Sequence, residues 1–152
     1  MKNGGSSSLP HIGELQNSLG IELVSMGQGE CKVKVQVSEN HLNKGGVAHG
    51  GLHATLLDTA MGGAVVSSLD KEEWCATAQL DISYINAAKN ECTLLCTGTM
   101  IRRGRSLAHV RGEVRNQDSE LIALGRGTWG IWDGRPKHCL LYTSPSPRDN
   151  RT

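Results

Sequence analysis

The sequence contains no phenylalanine, and aromatic residues make up only 3% of its 152 positions. A core without bulky rings has to be built from aliphatic, small and sulfur-containing side chains, and the 19 glycines agree with that. Long hydrophobic runs are missing too: no apolar stretch reaches the ~18 residues of a membrane-spanning helix. The opening MKNGGSSSLP lacks the apolar segment of a secretory signal. The expectation is a cytoplasmic protein with no membrane partner, residues 1–10 forming a flexible leader. Charge of one sign is also missing. A formal net charge of +1 creates no field that would draw in nucleic acid or a membrane surface.

Five cysteines are present. Cys31, Cys75, Cys92 and Cys96 sit in apolar, strand-like stretches, with no zinc-site spacing between them. On one strand face Cys92 and Cys96 would be ~13 Å apart, beyond disulfide reach. Buried, reduced thiols acting as small hydrophobes are expected. Cys139 is different, because CLLYTSPSPRD, Cys139 to Asp149, resembles one translated frame of a transposon-based sequencing-library adapter. Residues 133–152 are read as a disordered, non-native tail that packs on nothing.

What remains, residues 11–132, reads as one domain. Ile12 to Ser18 suits a short helix stopped at Gly20. Ile21–Ser25 and Lys32–Val37 are strands joined by a turn at Gly27-Gln28-Gly29, and an irregular loop runs from Glu39 to Gly46. A helix from about Gly51 to Leu69 repeats Leu57, Ala60, Met61, Ala64 and Val65 at helical spacing, with Asp58 as its one formal charge. Such a helix is buried on most sides. Four strand-like runs follow, Trp74–Ile85, Cys92–Arg102, Leu107–Arg115 and Glu120–Trp132, with short hairpin connections. The first should place Ala76, Ala78, Leu80, Ile82 and Tyr84 on one face. This order predicts an α+β fold, an antiparallel sheet wrapped around one central helix. A parallel α/β fold is excluded because helices do not alternate with the later strands.

The chemistry concentrates in HGGLHATLLD, His49 to Asp58. His49 and His53 have the i, i+4 spacing of a zinc-protease helix, but Gly50 stands where that motif needs its glutamate base, and no third ligand is near. No metal is expected. Gly50-Gly51 leads into the helix, where unpaired N–H groups and a partial positive charge can meet a developing oxyanion. A plain loop-to-helix turn would look the same. Asp58, two turns on, is expected to be buried, where an unpaired carboxylate is expensive. It suits a general base to water or a direct nucleophile, and a hydrogen-bonded structural role is the bland alternative.

The register Asn43-x6-Gly50-Gly51-x6-Asp58, within HLNKGGVAHGGLHATLLDTA, resembles the hotdog-fold acyl-CoA thioesterases of the phenylacetyl-CoA (PaaI) type. GLHATLLD brings it nearest to the acyl-CoA thioesterase 13 branch, and TAQLDISYINAA, RRGRSLAHVRGEV and LIALGRGTW extend the likeness from Leu15 to Trp132. The resemblance implies that Gly50 N–H polarises the thioester carbonyl and Asp58 activates water or attacks directly. Asn43 would hold the thioester or the water, and His49 would orient the loop and contact substrate. Thr77 would help position the water, at a place where the branch often has Ser. It also implies a homodimer or homotetramer, with Asp58 of one subunit facing Gly50 and Asn43 of another. CoA is substrate, and no cofactor is implied. Gly51 and the basic hairpin Arg103-Gly104-Arg105-Ser106 are the candidate CoA contacts, the hairpin offering positive charge to phosphates; a solvated basic turn is the alternative. His53 is assigned to packing or a tunnel wall, and His11, His41 and His109 receive no role. Two rivals stand beside hydrolysis: a non-catalytic acyl-CoA-binding hotdog module, and a hotdog enoyl-CoA hydratase.

Overall fold

The computed structural model describes residues 11–135. The leader expected at residues 1–10 and the adapter-like Cys139–Asp149 lie outside the described residues. A short helix α1 (Glu14–Ser18) precedes the hairpin β1 (Glu22–Gly27) and β2 (Glu30–Gln36). The loop that follows contains one 3-10 turn, Glu39–His41, and leads to the central helix α2 (Gly50–Val66). Then come β3 (Trp74–Tyr84), β4 (Thr93–Arg103), β5 (Leu107–Asn116) and β6 (Leu121–Trp132). Among the described residues no helix is long and apolar enough to cross a membrane.

The six strands form one sheet in the order β1-β2-β4-β5-β6-β3, antiparallel at every junction. The chain thus lays down two strands, crosses by α2 to the far edge, sets β3 there, and fills the gap with the β4–β5–β6 meander. The β1–β2 connection is tight because Gln28 (φ 53) and Gly29 (φ 77) both adopt positive φ, the backbone that matches strand twist in a two-residue hairpin.

The sheet curls around α2, which buries Leu52, His53, Leu56, Leu57, Ala60, Met61, Ala64 and Val65. Each large apolar side chain sealed there contributes about 1.5–3 kcal/mol relative to exposure. Opposite them, β2 turns Cys31, Val33 and Val35 inward, and β5 turns Ala108, Val110 and Val114 inward while His109, Arg111 and Glu113 face out. The helix approaches closely because Gly98, Gly112 and Gly125 lie in register across three strands. A Cβ on Gly98 would stand 2.7 Å from Met61 N, and one on Gly112 would stand 2.8 Å from Leu57 Cδ2.

One expectation about facing fails. β3 does not keep Ala76, Ala78, Leu80, Ile82 and Tyr84 on a single face, because its register against β6 shifts between Thr77 and Gln79. A β-bulge adds a residue and resets the alternation. Cys75 faces the core before the bulge, and Leu80 and Ile82 face it after.

Candidate active site

The loop before α2 is stitched to neighbouring chain: Ala48 N–H donates to Ala88 O (2.8 Å) and His49 N–H to His41 O (2.7 Å). His41 is itself held, its Nδ1 accepting from Ser38 N–H (3.0 Å) and its Nε2 lying 2.7 Å from Leu19 O. His49 then caps the helix. Its Nδ1 accepts from Gly51 N–H at 2.8 Å, and its carbonyl accepts from Leu52 N–H at 2.9 Å. Two of the first three helical donors are therefore consumed. The third, Gly50 N–H, has no acceptor among the described residues. It remains a preset donor at the positive end of a helix dipole whose first turn carries no acidic residue. Gly50 O, in contrast, accepts from Tyr84 Oη at 3.0 Å. That ring lies over Gly50, and a Cβ there would come within 3.2 Å of Tyr84 Cε1. Nothing in the sequence beyond its place on a strand face marks Tyr84 as this neighbour.

Asp58 departs from its expectation. It is exposed in the single chain, and it has a partner: Thr77 Oγ1 donates to Asp58 Oδ1 at 2.7 Å. The expected burial penalty is therefore absent. α2 is buried along one broad face only, and Asp58 belongs to the open stripe opposite. The β3 bulge is what turns Thr77 toward it. This bond leaves the second carboxylate oxygen free of any described partner.

Asn43 Oδ1 accepts from Gly45 N–H (2.8 Å) and Val47 N–H (3.4 Å), closing the 43–47 turn, and its side-chain NH₂ has no described acceptor. Gly50 and Asp58 are not brought together. Eight residues at 1.5 Å rise put them ~12 Å apart along the helix axis, too far for both to touch one thioester.

Of the expected CoA contacts, Gly51 donates its N–H within the cap, and Gly104 N–H donates to Leu107 O (2.8 Å). Arg103 is engaged as well: its guanidinium pairs with Glu73, and its Nη1 donates to Gly104 O at 2.6 Å. That pairing, reinforced by Asp70 N–H, holds the Glu73 carboxyl below its ordinary range. Arg105 and Ser106 are exposed, with side chains free of described partners. Cys31 and Cys96 are buried, and Cys75 and Cys92 half-buried. Burial pushes the Cys31 thiol up to about 11 and Cys96 further up, so neither supplies a thiolate nucleophile near neutral pH. Among the described residues no three His, Cys, Asp or Glu side chains gather where a metal ion could sit.

Comparison with known proteins gives a consistent result. Residues 45–123 match the thioesterase superfamily. A putative esterase of Deinococcus radiodurans is 37% identical over 111 residues, covering 72% of this chain and 73% of that one. Human acyl-coenzyme A thioesterase 13 is 31% identical over 109 residues, covering 71% and 77%. Among solved structures, the PaaI protein of E. coli, from the phenylacetic acid degradation operon, superposes with a TM-score of 0.74 at 27% identity, covering 79% of this chain and 85% of that one.

Proposed function

Because this chain belongs to the thioesterase superfamily and is a thioester hydrolase with the hotdog fold of the PaaI type, we propose that it cleaves acyl-CoA to a free acid and CoA. The observation that carries this reading is the unspent Gly50 N–H at the mouth of α2, between consumed donors on either side. The name of the human relative supports the choice of CoA as the thiol carrier.

In the proposed mechanism the thioester carbonyl oxygen accepts from Gly50 N–H. Asp58, oriented by Thr77, takes a proton from water through its free oxygen as that water attacks the carbonyl carbon. The tetrahedral oxyanion collects its charge against Gly50 N–H and the helix dipole, and one donor of this kind typically supplies about 3 kcal/mol. Collapse breaks the C–S bond, and the proton held by Asp58 passes to the departing sulfur. Asn43 steadies the thioester or the water through its NH₂, while His49 fixes the turn that presents Gly50. The steps need neither metal nor cofactor.

The ~12 Å between Gly50 and Asp58 is bridged in this reading by a second copy of the chain, Asp58 of one subunit serving Gly50 and Asn43 of the other. β3 supports that arrangement. It is an 11-residue strand at the open edge of the sheet, beside the exposed stripe of α2, and a long open edge calls for a cover. We take the assembly to be a homodimer, or a pair of them. CoA phosphates are assigned to Arg105 and Ser106, with Arg103 shaping the turn, and the enzyme to the cytoplasm.

The test is thiol release from a panel of acyl-CoAs by the wild type and by Asp58→Asn. Loss of the base should lower kcat by about two to four orders of magnitude, with the unfolding midpoint unchanged. Near-normal turnover in the variant would sink the mechanism. Binding of acyl-CoA without release would favour the non-catalytic module, and hydration of an enoyl-CoA the hydratase.

A further inference from the structure

Beside Gly50 lies a cavity of about 270 Å³ lined by Ala48, Gly50, His53, Tyr84, Ile85, Asn86 and Ala87. His53 is the unusual member. It sits one turn beyond Gly50 on α2, only 3% exposed, and its Nδ1 is sealed from solvent with no hydrogen-bond partner. Tyr84 stacks near it at 6.1 Å between ring centres, tilted by 45°, and offers the imidazole no described hydrogen bond. Burial lowers the His53 pKa, which keeps the ring neutral near neutral pH.

A neutral imidazole carries one proton. A sealed N–H without an acceptor is the costlier of the two orphans, so Nδ1 is best left as a bare lone pair and the proton placed on Nε2. Nε2 also has no acceptor among the described residues. The ring therefore presents a donor, and the open space it borders is this cavity. Wild-type packing alone would be better served by a leucine or methionine at such a position, since a buried polar group without a partner costs about 1–3 kcal/mol.

Building on the acyl-CoA reading above, we propose that the cavity is an acyl subsite in which His53 Nε2–H recognises an oxygen on a short acyl group. Three residues of helix separate His53 from Gly50, ~4.5 Å along the axis. With the thioester carbonyl on Gly50 N–H, the imidazole one turn away faces the first few carbons of the acyl chain, among them the carbon two places beyond the carbonyl. The substrates are 3-hydroxyacyl or 3-oxoacyl thioesters. At about 270 Å³ the cavity has room for a segment of a few carbons.

The experiment compares kcat/KM for 3-hydroxybutanoyl-CoA and butanoyl-CoA in the wild type, His53→Met and His53→Gln. The wild type should prefer the hydroxylated substrate by about tenfold or more, because a site built to bond an oxygen rejects the analogue that lacks it. His53→Met should bring the ratio toward one. His53→Gln, whose amide N–H reaches near the Nε2 position, should keep part of it. The ratio carries the test, whatever happens to absolute rates. A wild-type ratio near one, with thiol still released, overturns the subsite and leaves the hydrolase reading intact, and this arm needs no variant to fold. A preference unchanged in His53→Met overturns the role of His53. No release from any acyl-CoA overturns the reading beneath the proposal.

Discussion

The two halves of α2 are both rich in small residues, yet those residues serve opposite ends. At the start, Gly50 leaves its N–H unspent and Gly51 fits under the His49 ring, where a Cβ would stand 3.0 Å from Nδ1. Glycine there keeps backbone accessible. In the second half, a Cβ on Gly63 would meet Cys31 Cβ at 2.9 Å, and the Ala60–Met61 backbone rests on Gly98. Glycine there lets helix and sheet close up. One sequence feature thus exposes polar groups at one end and removes all free space at the other. A helix anchored by its packed half can hold the unspent donor of its open half in place.

The strongest way to break this contrast is to add one methyl group on the packed side. Gly98→Ala drives a Cβ against backbone that cannot rotate away. Overpacking of that kind costs ~1–3 kcal/mol and sometimes more. We expect the upper end, about 3 kcal/mol, read as a lower midpoint in chemical denaturation. Molecules still folded should keep their turnover. A variant as stable as the wild type but slow would mean that the packed half reaches into the chemistry.

Thr77→Val sharpens the comparison from the open side. It removes the donor to Asp58 Oδ1 and little volume. Asp58 is exposed, so solvent replaces part of the bond, and the expected loss is about 1 kcal/mol, roughly five- to tenfold in kcat. Thr77→Ser should restore the rate because it returns the hydroxyl. Equal rates in all three would leave Thr77 as a strand residue only.

The two halves were not equally legible in the sequence. The packed half is written in periodicity: Leu57, Ala60, Met61, Ala64 and Val65 repeat every turn, and all five are buried. The strands themselves follow from alternation for the same reason, since burial imposes period on sequence, but their order in the sheet does not: the short Asn86–Asn90 connection, expected to be a hairpin, joins β3 and β4, which lie apart, β3 pairing with β6 at the far edge. The open half is set by single contacts that carry no period. A bulge between Thr77 and Gln79 aims Thr77 at Asp58, and no residue in TAQL announces it. Asp58 lies among apolar neighbours in sequence, yet the helix turns it outward. His53, expected to pack or to line a tunnel, is sealed, but nothing in the sequence announces that its Nδ1 has no partner. Arg103 looks like a phosphate ligand until Glu73, 30 residues earlier, is found against it. The motif HGG with a downstream Asp points to a candidate site; the geometry around it depends on contacts far apart in the chain.

The Glu73–Arg103 pair gives the smallest and cleanest test, because it belongs to neither half. It fastens the segment after α2 to the β4–β5 hairpin, with Asp70 N–H donating to the same Glu73 oxygen at 2.9 Å. The Arg103 hydrogen bond holds the Glu73 pKa below its ordinary 4.5. A carboxylate with a depressed folded pKa lends stability that is fully present above its unfolded value and lost as pH falls through the folded one. The unfolding midpoint should therefore drop on going from pH 7 to below pH 4.5 partly because of this group, and Glu73→Gln should flatten that limb while shifting the pH 7 midpoint slightly downward. Turnover on a short acyl-CoA should hold, and KM should rise modestly as the hairpin that carries Arg105 loosens. An acid limb as steep in Glu73→Gln as in the wild type would show that the pair fastens nothing, and Arg103 would return to the set of residues free to meet phosphate.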